Sequence, residues 1–489
     1  MIPRCMSTQH PDNVTLPFFA QNGELQGEDE VREAFYAFAQ LGCDEQMWDC
    51  EGKEIDNYVV KKLLSRHPEV FREKRLGRDL FITLRVPNPT VEKAEAKILL
   101  ETLESIPRSF DAAKLFYSSI GDEEVIAPIF EVILPMTTSS RCLDRIYRYY
   151  QDFVAGKQDK LLGDVLISKW IGEFWPQRVN VIPLFEDKAS MLASAEIVRE
   201  YLRDKQVDYA RVFFARSDPA LNYGMVTAVL LNKIALHDLW QLEGELGIKL
   251  YPILGVGSAP FRGNLTPRRV RRVLAEYPSV QTFTVQSAFK YDYPPDEVHM
   301  GIAQLYEHVP SAPQAVERER AIRLIEKCSG EYRRQISELA PLVNKVSEFV
   351  PGRRKRKLHI GLFGYAREES GVKLPRAITF TAAMYSLGLP PELLGLNCLE
   401  REDVEFLSSV YVNFREDLRD ALKYLNLSSP VIPRKLKLTL RRWLQELDVT
   451  VDLEHEKITG AIASRVLAIG NGDLKDYLIQ AASLRRFLG

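Results

Sequence analysis

Two carboxylates stand where a hard divalent cation could be held. Glu186 closes the run Val181 to Phe185, and Asp218 lies just beyond the run Val212 to Phe214; both runs are rich in β-branched and aromatic residues. Between them Met191, Ala195, Val198 and Leu202 fall at i, i+4, i+7 and i+11, the period of a helix with one buried face. A strand, a helix and a parallel strand joined by a right-handed crossover leave both strand ends on the same side of the sheet. The two acids then project into one crevice, the arrangement a cation such as Mg²⁺ needs, since it takes oxygen ligands and keeps positions for water and substrate oxygens. The plain alternative is that one or both acids cap the helix that follows.

Anion-binding chemistry gathers around the same run. In GVGSAPFRGNLTP, Gly255 to Pro267, small residues would let backbone N–H groups approach an anion, and Arg262 adds a fixed, always charged fork that matches phosphate oxygens. Thr266 and Pro267 read as the N-cap and first position of a helix, whose positive end favours phosphate. Arg85 closes the run before Pro87, Arg367 lies in FGYAREES, and Arg376 starts a helix in KLPRAI; each could hold a carboxylate or phosphate, and each could equally be where a strand or helix meets water. His10, in STQHPDN, sits beside Pro11 among Ser7, Thr8, Gln9, Asp12 and Asn13, a polar and rigid setting for proton transfer near neutral pH. Lys290, in QSAFKYDYP, is flanked by aromatics that could hold an ammonium, a pattern that cation–π packing at a surface would also give. The basic runs PRRVRR and GRRKRK raise polyanion binding as an alternative, but the second has no interleaved aromatics and reads as a solvated loop.

The elements that must position these groups follow a rhythm. Apolar runs recur as DLFITLRV, KLFYSS, PIFEVILP, VNVIPLFE, YARVFFARSD, KLYPILGVG, VQTFTVQ and KLHIGLFG, most separated by helical patterns. About eight strands with crossovers over roughly 285 residues predict an α/β fold of the (β/α)₈, TIM-type barrel class, in which chemistry sits at the C-terminal strand ends. An open doubly wound sheet is the rival, and the short connection from KLFYSS to PIFEVILP is the weakest step in the count. Residues 1–78 read as an N-terminal extension carrying the STQHPDN loop, residues 79–395 as the barrel with a helical insertion at 311–350, and residues 396–489 as a C-terminal helical region packed on it. With 65 Lys+Arg against 67 Asp+Glu, the chain offers no electrostatic case for nucleic acid or membrane as partner. No apolar leader or spanning segment is evident and the six cysteines form no metal-binding spacing, so a cytoplasmic protein with reduced thiols is expected.

STQHPDN, VIPLFE, FFARSD, GVGSAPFRGN and QSAFKYDYP, in that order, together resemble the phosphoenolpyruvate carboxylases of the short archaeal type. The resemblance runs from His10 to about Gly395 and implies an anaplerotic lyase that makes oxaloacetate and phosphate from phosphoenolpyruvate and bicarbonate. It implies Mg²⁺ or Mn²⁺ as cofactor, carboxyphosphate and a metal-held enolate as intermediates, and a homotetramer. Carried over by position, the metal ligands fall on Glu186 and Asp218, the catalytic histidine on His10 and the phosphate-binding arginine on Arg262. Lys290 takes the place of a catalytic lysine, and Arg85 of a second anion-binding arginine. The chain departs from the long form of the family at Leu221, where that form has lysine, in a glycine loop that keeps only Arg262, and near Gly388, where an arginine has no match. Arg216, Arg367 and Arg376 are the candidates to replace the missing charge. Another metal-dependent barrel acting on phosphoenolpyruvate or a 2-oxo acid would share the acids and arginines but show no bicarbonate dependence.

Overall fold

The computed structural model describes residues 1–51, 56–355, 372–468 and 474–489. Its eight main strands are β1 (Cys5–Ser7), β2 (Glu45–Asp49), β3 (Phe81–Arg85), β4 (Glu131–Leu134), β5 (Asn180–Phe185), β6 (Tyr209–Ala215), β7 (Lys249–Gly255) and β8 (Thr282–Val285). All pair in parallel, and β1 bonds to both β2 and β8, so the sheet closes into a barrel without edges. This is the (β/α)₈ fold.

Six of the eight expected strands lie where the apolar runs placed them, and two come from elsewhere. KLFYSS is the end of a helix, Ala96–Ser118, whose buried residues Leu99, Leu103, Ile106, Phe110, Ala113 and Tyr117 keep helical spacing into that run. The β3–β4 connection is therefore a full crossover. KLHIGLFG lies outside the described residues, and the barrel closes without it. The missing strands are β1 and β2, inside the 1–78 stretch expected to be an extension, so the barrel begins at Cys5 rather than Asp79.

The barrel interior is layered. At the floor Arg211 of β6 forms a bidentate pair with Glu45 of β2 at 2.7 Å and reaches Glu131 of β4 at 2.8 Å and Thr282 of β8 at 3.3 Å. Above them Met6, Met47, Ile133, Ile182, Leu184, Phe213 and Ile253 fill the centre with apolar volume. The strand ends above that layer form the mouth.

Helices outside the sheet include α1 (Glu28–Tyr36), α2 (Ser217–Tyr223), α3 (Ser287–Tyr291), α4 (Arg318–Ser347), α5 (Ala377–Ser386), α6 (Leu453–Leu467) and α7 (Lys475–Arg485), of which α2 and α5 line the mouth. Tyr332 of α4 donates to the Leu221 carbonyl of α2 at 2.8 Å and so braces the helix that begins with Ser217 and Asp218. After α7 the chain turns back over the barrel: the Leu488 N–H donates to the Asp12 carbonyl at 2.7 Å. No helix among the described residues is long and apolar enough to cross a membrane.

Candidate active site

A cavity of about 280 Å³ opens at the C-terminal ends of the strands and is lined by His10, Arg85, Glu186, Asp218, Arg262 and Arg376, among others. Each arrives from a different element: His10 after β1, Arg85 at the end of β3, Glu186 after β5, Asp218 in the first turn of α2, Arg262 in the loop after β7 and Arg376 as N-cap of α5. Glu186 does not cap the next helix. Asp187 does, accepting from the Ser190 N–H at 2.9 Å, while Glu186 is buried and accepts from the Met136 N–H at 2.7 Å.

Arg262 is buried and gripped on all sides. It donates to the Ser217 hydroxyl at 3.2 Å, to Asp12 at 3.1 Å, to the Gly489 carbonyl at 2.8 Å and to the Gln286 side chain. Burial lowers its pKa, and the Asp12 and Asp218 carboxylates oppose that shift. Asp12 is buried as well, and burial raises its pKa against the pull of Arg262. The glycines of this loop do not build the expected nest of anion-facing N–H groups. The N–H of Gly257 goes to the Arg262 carbonyl, that of Ser258 to Asp12, and that of Phe261 to Glu392 at 2.6 Å. Gly257 instead gives Arg262 room, since a Cβ there would stand 2.8 Å from the guanidinium carbon. The helix expected at Pro267 starts at Val270.

Lys290 is not at the mouth. Its ammonium is buried below the His10 loop, bonded to Glu33 at 2.9 Å, the Thr8 carbonyl at 2.9 Å and the Ser7 hydroxyl at 3.2 Å. Burial would raise the Glu33 pKa, but Arg354 and Lys290 outweigh it and hold Glu33 at about 2. Of the three arginines considered as replacement charges, Arg376 lines the cavity and Arg367 lies outside the described residues. Arg216 is buried behind the loop, donating to the Phe261 carbonyl at 3.1 Å. Leu221 lines the cavity too.

Sequence reasoning missed Arg353 and Arg354, which line the cavity from the GRRKRK run. The sequence pattern of that run predicts a solvated loop, but Arg354 is buried, paired with Glu30 at 2.8 Å and Glu33 at 2.6 Å, and Arg353 donates to the Asn13 and Val14 carbonyls. In PRRVRR, Arg268 pairs with Glu297, Arg269 with Asp420, and Arg272 with Asp417 and Asp420. Arg268, Arg269, Arg272, Arg353 and Arg354 of the two basic runs are thus engaged by carboxylates and carbonyls. No local signal could have found them, since the acids that hold Arg354 lie more than 300 residues away in the sequence.

The arrangement combines two carboxylates, several arginines and an imidazole around one cavity, a set suited to phosphoryl transfer and to stabilising an oxyanion. Residues 2–489 match the family model described as phosphoenolpyruvate carboxylase. Curated proteins of that name are similar over full length: 56% identical over 489 residues in Methanothermobacter thermautotrophicus, 56% over 490 in Methanospirillum hungatei and 49% over 494 in Pyrococcus abyssi, each alignment covering 100% of both chains.

Proposed function

The chain belongs to the phosphoenolpyruvate carboxylase family and is an enzyme of that type, and from that premise we propose how its barrel mouth forms oxaloacetate and phosphate from phosphoenolpyruvate and bicarbonate. The observation that carries the reading is that one cavity is lined by His10, Arg85, Glu186, Asp218, Arg262 and Arg376.

Glu186 and Asp218 fit a hard divalent cation, Mg²⁺ or Mn²⁺. Both are carboxylates that line the same cavity, and among the described residues no cluster of three or more His, Cys, Asp or Glu is found. Such a donor set matches a cation that shares its coordination with water and substrate oxygens. When bound, it supplies Lewis-acid stabilisation of negative charge on substrate oxygens.

The arginines bind the substrate's anionic groups. Arg262, fixed by Asp12, Ser217 and Gln286, and Arg85, held by Glu51 at 2.6 Å, steady the phosphoryl group. A bicarbonate oxygen attacks phosphorus, the bond from phosphorus to the enol oxygen breaks, and carboxyphosphate and an enolate result. His10, oriented by the contact of its Nδ1 with Thr8 Oγ1 at 2.9 Å, takes the carboxyphosphate proton. Carboxyphosphate then splits into phosphate and CO₂, and the enolate carbon attacks the CO₂. Water must be kept from the enolate, which would otherwise take up a proton and become pyruvate. A homotetramer is the assembly expected of the enzyme.

The test is His10→Asn. The variant should still cleave phosphoenolpyruvate in a bicarbonate-dependent way, while oxaloacetate, followed by its reduction to malate, falls about a hundredfold and pyruvate replaces it. A normal oxaloacetate yield sinks the role given to His10. EDTA should stop both products, and phosphoenolpyruvate turnover that ignores bicarbonate would point to a different metal-dependent barrel reaction.

A further inference from the structure

Two of the chain's most distinctive strings, STQHPDN and QSAFKYDYP, lie against each other along their length. Helix α3, which occupies most of the second, meets the first almost residue by residue. The Lys290 ammonium holds the Thr8 carbonyl and Ser7 hydroxyl. The Ser287 N–H donates to the His10 carbonyl at 3.2 Å, and the Ala288 N–H to the Asp12 carboxylate at 2.7 Å. At the far end Asp292, the C-cap of α3, accepts from the N–H groups of Val14 and Thr15, each at 2.7 Å. On the other side of the same turn Arg353 donates to the Val14 carbonyl at 2.7 Å and the Asn13 carbonyl at 3.3 Å.

We infer that Asp292 is a positioning residue for proton transfer: it closes a clasp, built by α3, that fixes the His10 segment at the barrel mouth. The inference rests on the role proposed for His10. The segment from Thr8 to Thr15 has helix on neither side, so its backbone groups must find partners across chain. Lys290, Ser287 and Ala288 fix its first half. Among the described residues only Asp292 takes the two N–H groups that end it, one on each carboxyl oxygen, which makes the tie directional. Proton transfer requires His10 to be within hydrogen-bond reach of the carboxyphosphate proton, so a shift of about 1 Å costs far more in that step than in binding. By the same geometry Lys290, expected at the reacting centre, acts through the loop it holds.

Asp292→Asn replaces one accepting oxygen by an NH₂ group that faces a donor. Thr15→Pro removes the Thr15 N–H and, with the hydroxyl, the side-chain contact that Thr15 also makes with the same carboxyl. In either variant the ratio of oxaloacetate to pyruvate should fall about tenfold or more, with KM for phosphoenolpyruvate changed less than about twofold. Amide exchange at Val14 should quicken about tenfold. A structural role alone would lower kcat without moving the product ratio. If His10→Asn shifts the ratio and both clasp variants keep the wild-type one, the inference is overturned. If one of them does not fold, the other decides. If His10→Asn leaves the ratio untouched, the proposed role of His10 has failed, and the clasp then stands on faster exchange at Val14 in Asp292→Asn or falls on unchanged exchange.

Discussion

Arg262 shows how much of a site can hang on a residue without a side chain. Its guanidinium lies over Gly257, where an ideal Cβ would come within 2.8 Å of both Cζ and Nη1. The guanidinium cannot yield easily, because Ser217, Asp12, Gln286 and the Gly489 carbonyl hold it from other directions. Gly257→Ala should therefore push the charged fork off its seat while leaving the fold intact. Steady-state kinetics should show KM for phosphoenolpyruvate raised about tenfold, equivalent to ~1.4 kcal/mol of lost binding, with a lowered melting temperature because the buried Asp12 carboxyl loses its partner. At this scale the sequence was informative about charged and polar types and poor about their partners. An arginine inside a glycine loop announces anion chemistry. Nothing local tells that Lys290 turns inward to Glu33, or that Arg354 of a basic run is buried, because both depend on acids more than 250 residues away.

The loops behave as units because single buried carboxylates tie them down. Glu392 accepts from the Phe261 N–H at 2.6 Å and from the Tyr385 hydroxyl at 2.7 Å, so the loop that carries Arg262 is fixed to the segment following α5. Burial pushes the Glu392 pKa up to about 7 from an ordinary value of 4.5, against the pull of its hydrogen bonds. A carboxyl raised in this way keeps its proton in the folded state after the unfolded chain has lost it. Its contribution to stability is therefore full below pH 4.5, declines as pH rises, and is gone above about pH 7. Glu392→Gln does not titrate. Urea unfolding of parent and variant at several pH values should show the variant gaining on the parent by on the order of 1–3 kcal/mol between those limits. A constant difference across the range would mean that Glu392 is ionised in the folded state. Elements with a clean period were legible at this scale: the apolar runs of β3 to β8 predict themselves. The loop ties were not, since a glutamate next to Pro390 and Pro391 carries no local mark of the loop it will hold.

For the molecule as a whole, the barrel was legible from the recurrence of buried runs, and its first two strands were hidden for a physical reason. Strand β2 reads Glu-Gln-Met-Trp-Asp because its inward positions serve three different layers: Glu45 the ionic floor, Met47 the apolar centre and Asp49 the mouth, where it lies 3.5 Å from Arg85. A strand so divided has no apolar face to read. The floor that hides β2 also ties the barrel across its diameter, since Arg211 joins β6 to both β2 and β4 while Tyr209 donates to Glu131 at 3.1 Å. Arg211, Glu45 and Glu131 are all buried, so the pairing offsets a large desolvation cost rather than adding a surplus. Removing the cation alone exposes that cost. Arg211→Met leaves two carboxylates facing each other in the barrel floor and should destabilise the fold by about 3–5 kcal/mol, seen as a lower urea midpoint with an unchanged slope. Replacing the three together, Arg211→Met with Glu45→Gln and Glu131→Gln, removes the stranded charges and should restore most of that loss. Because Arg211, Glu45 and Glu131 lie below the apolar layer and do not themselves line the cavity, the triple variant should retain the oxaloacetate-to-pyruvate ratio of the parent. A triple variant as unstable as the single one would show that the floor is held by the geometry of its hydrogen bonds and not by charge balance.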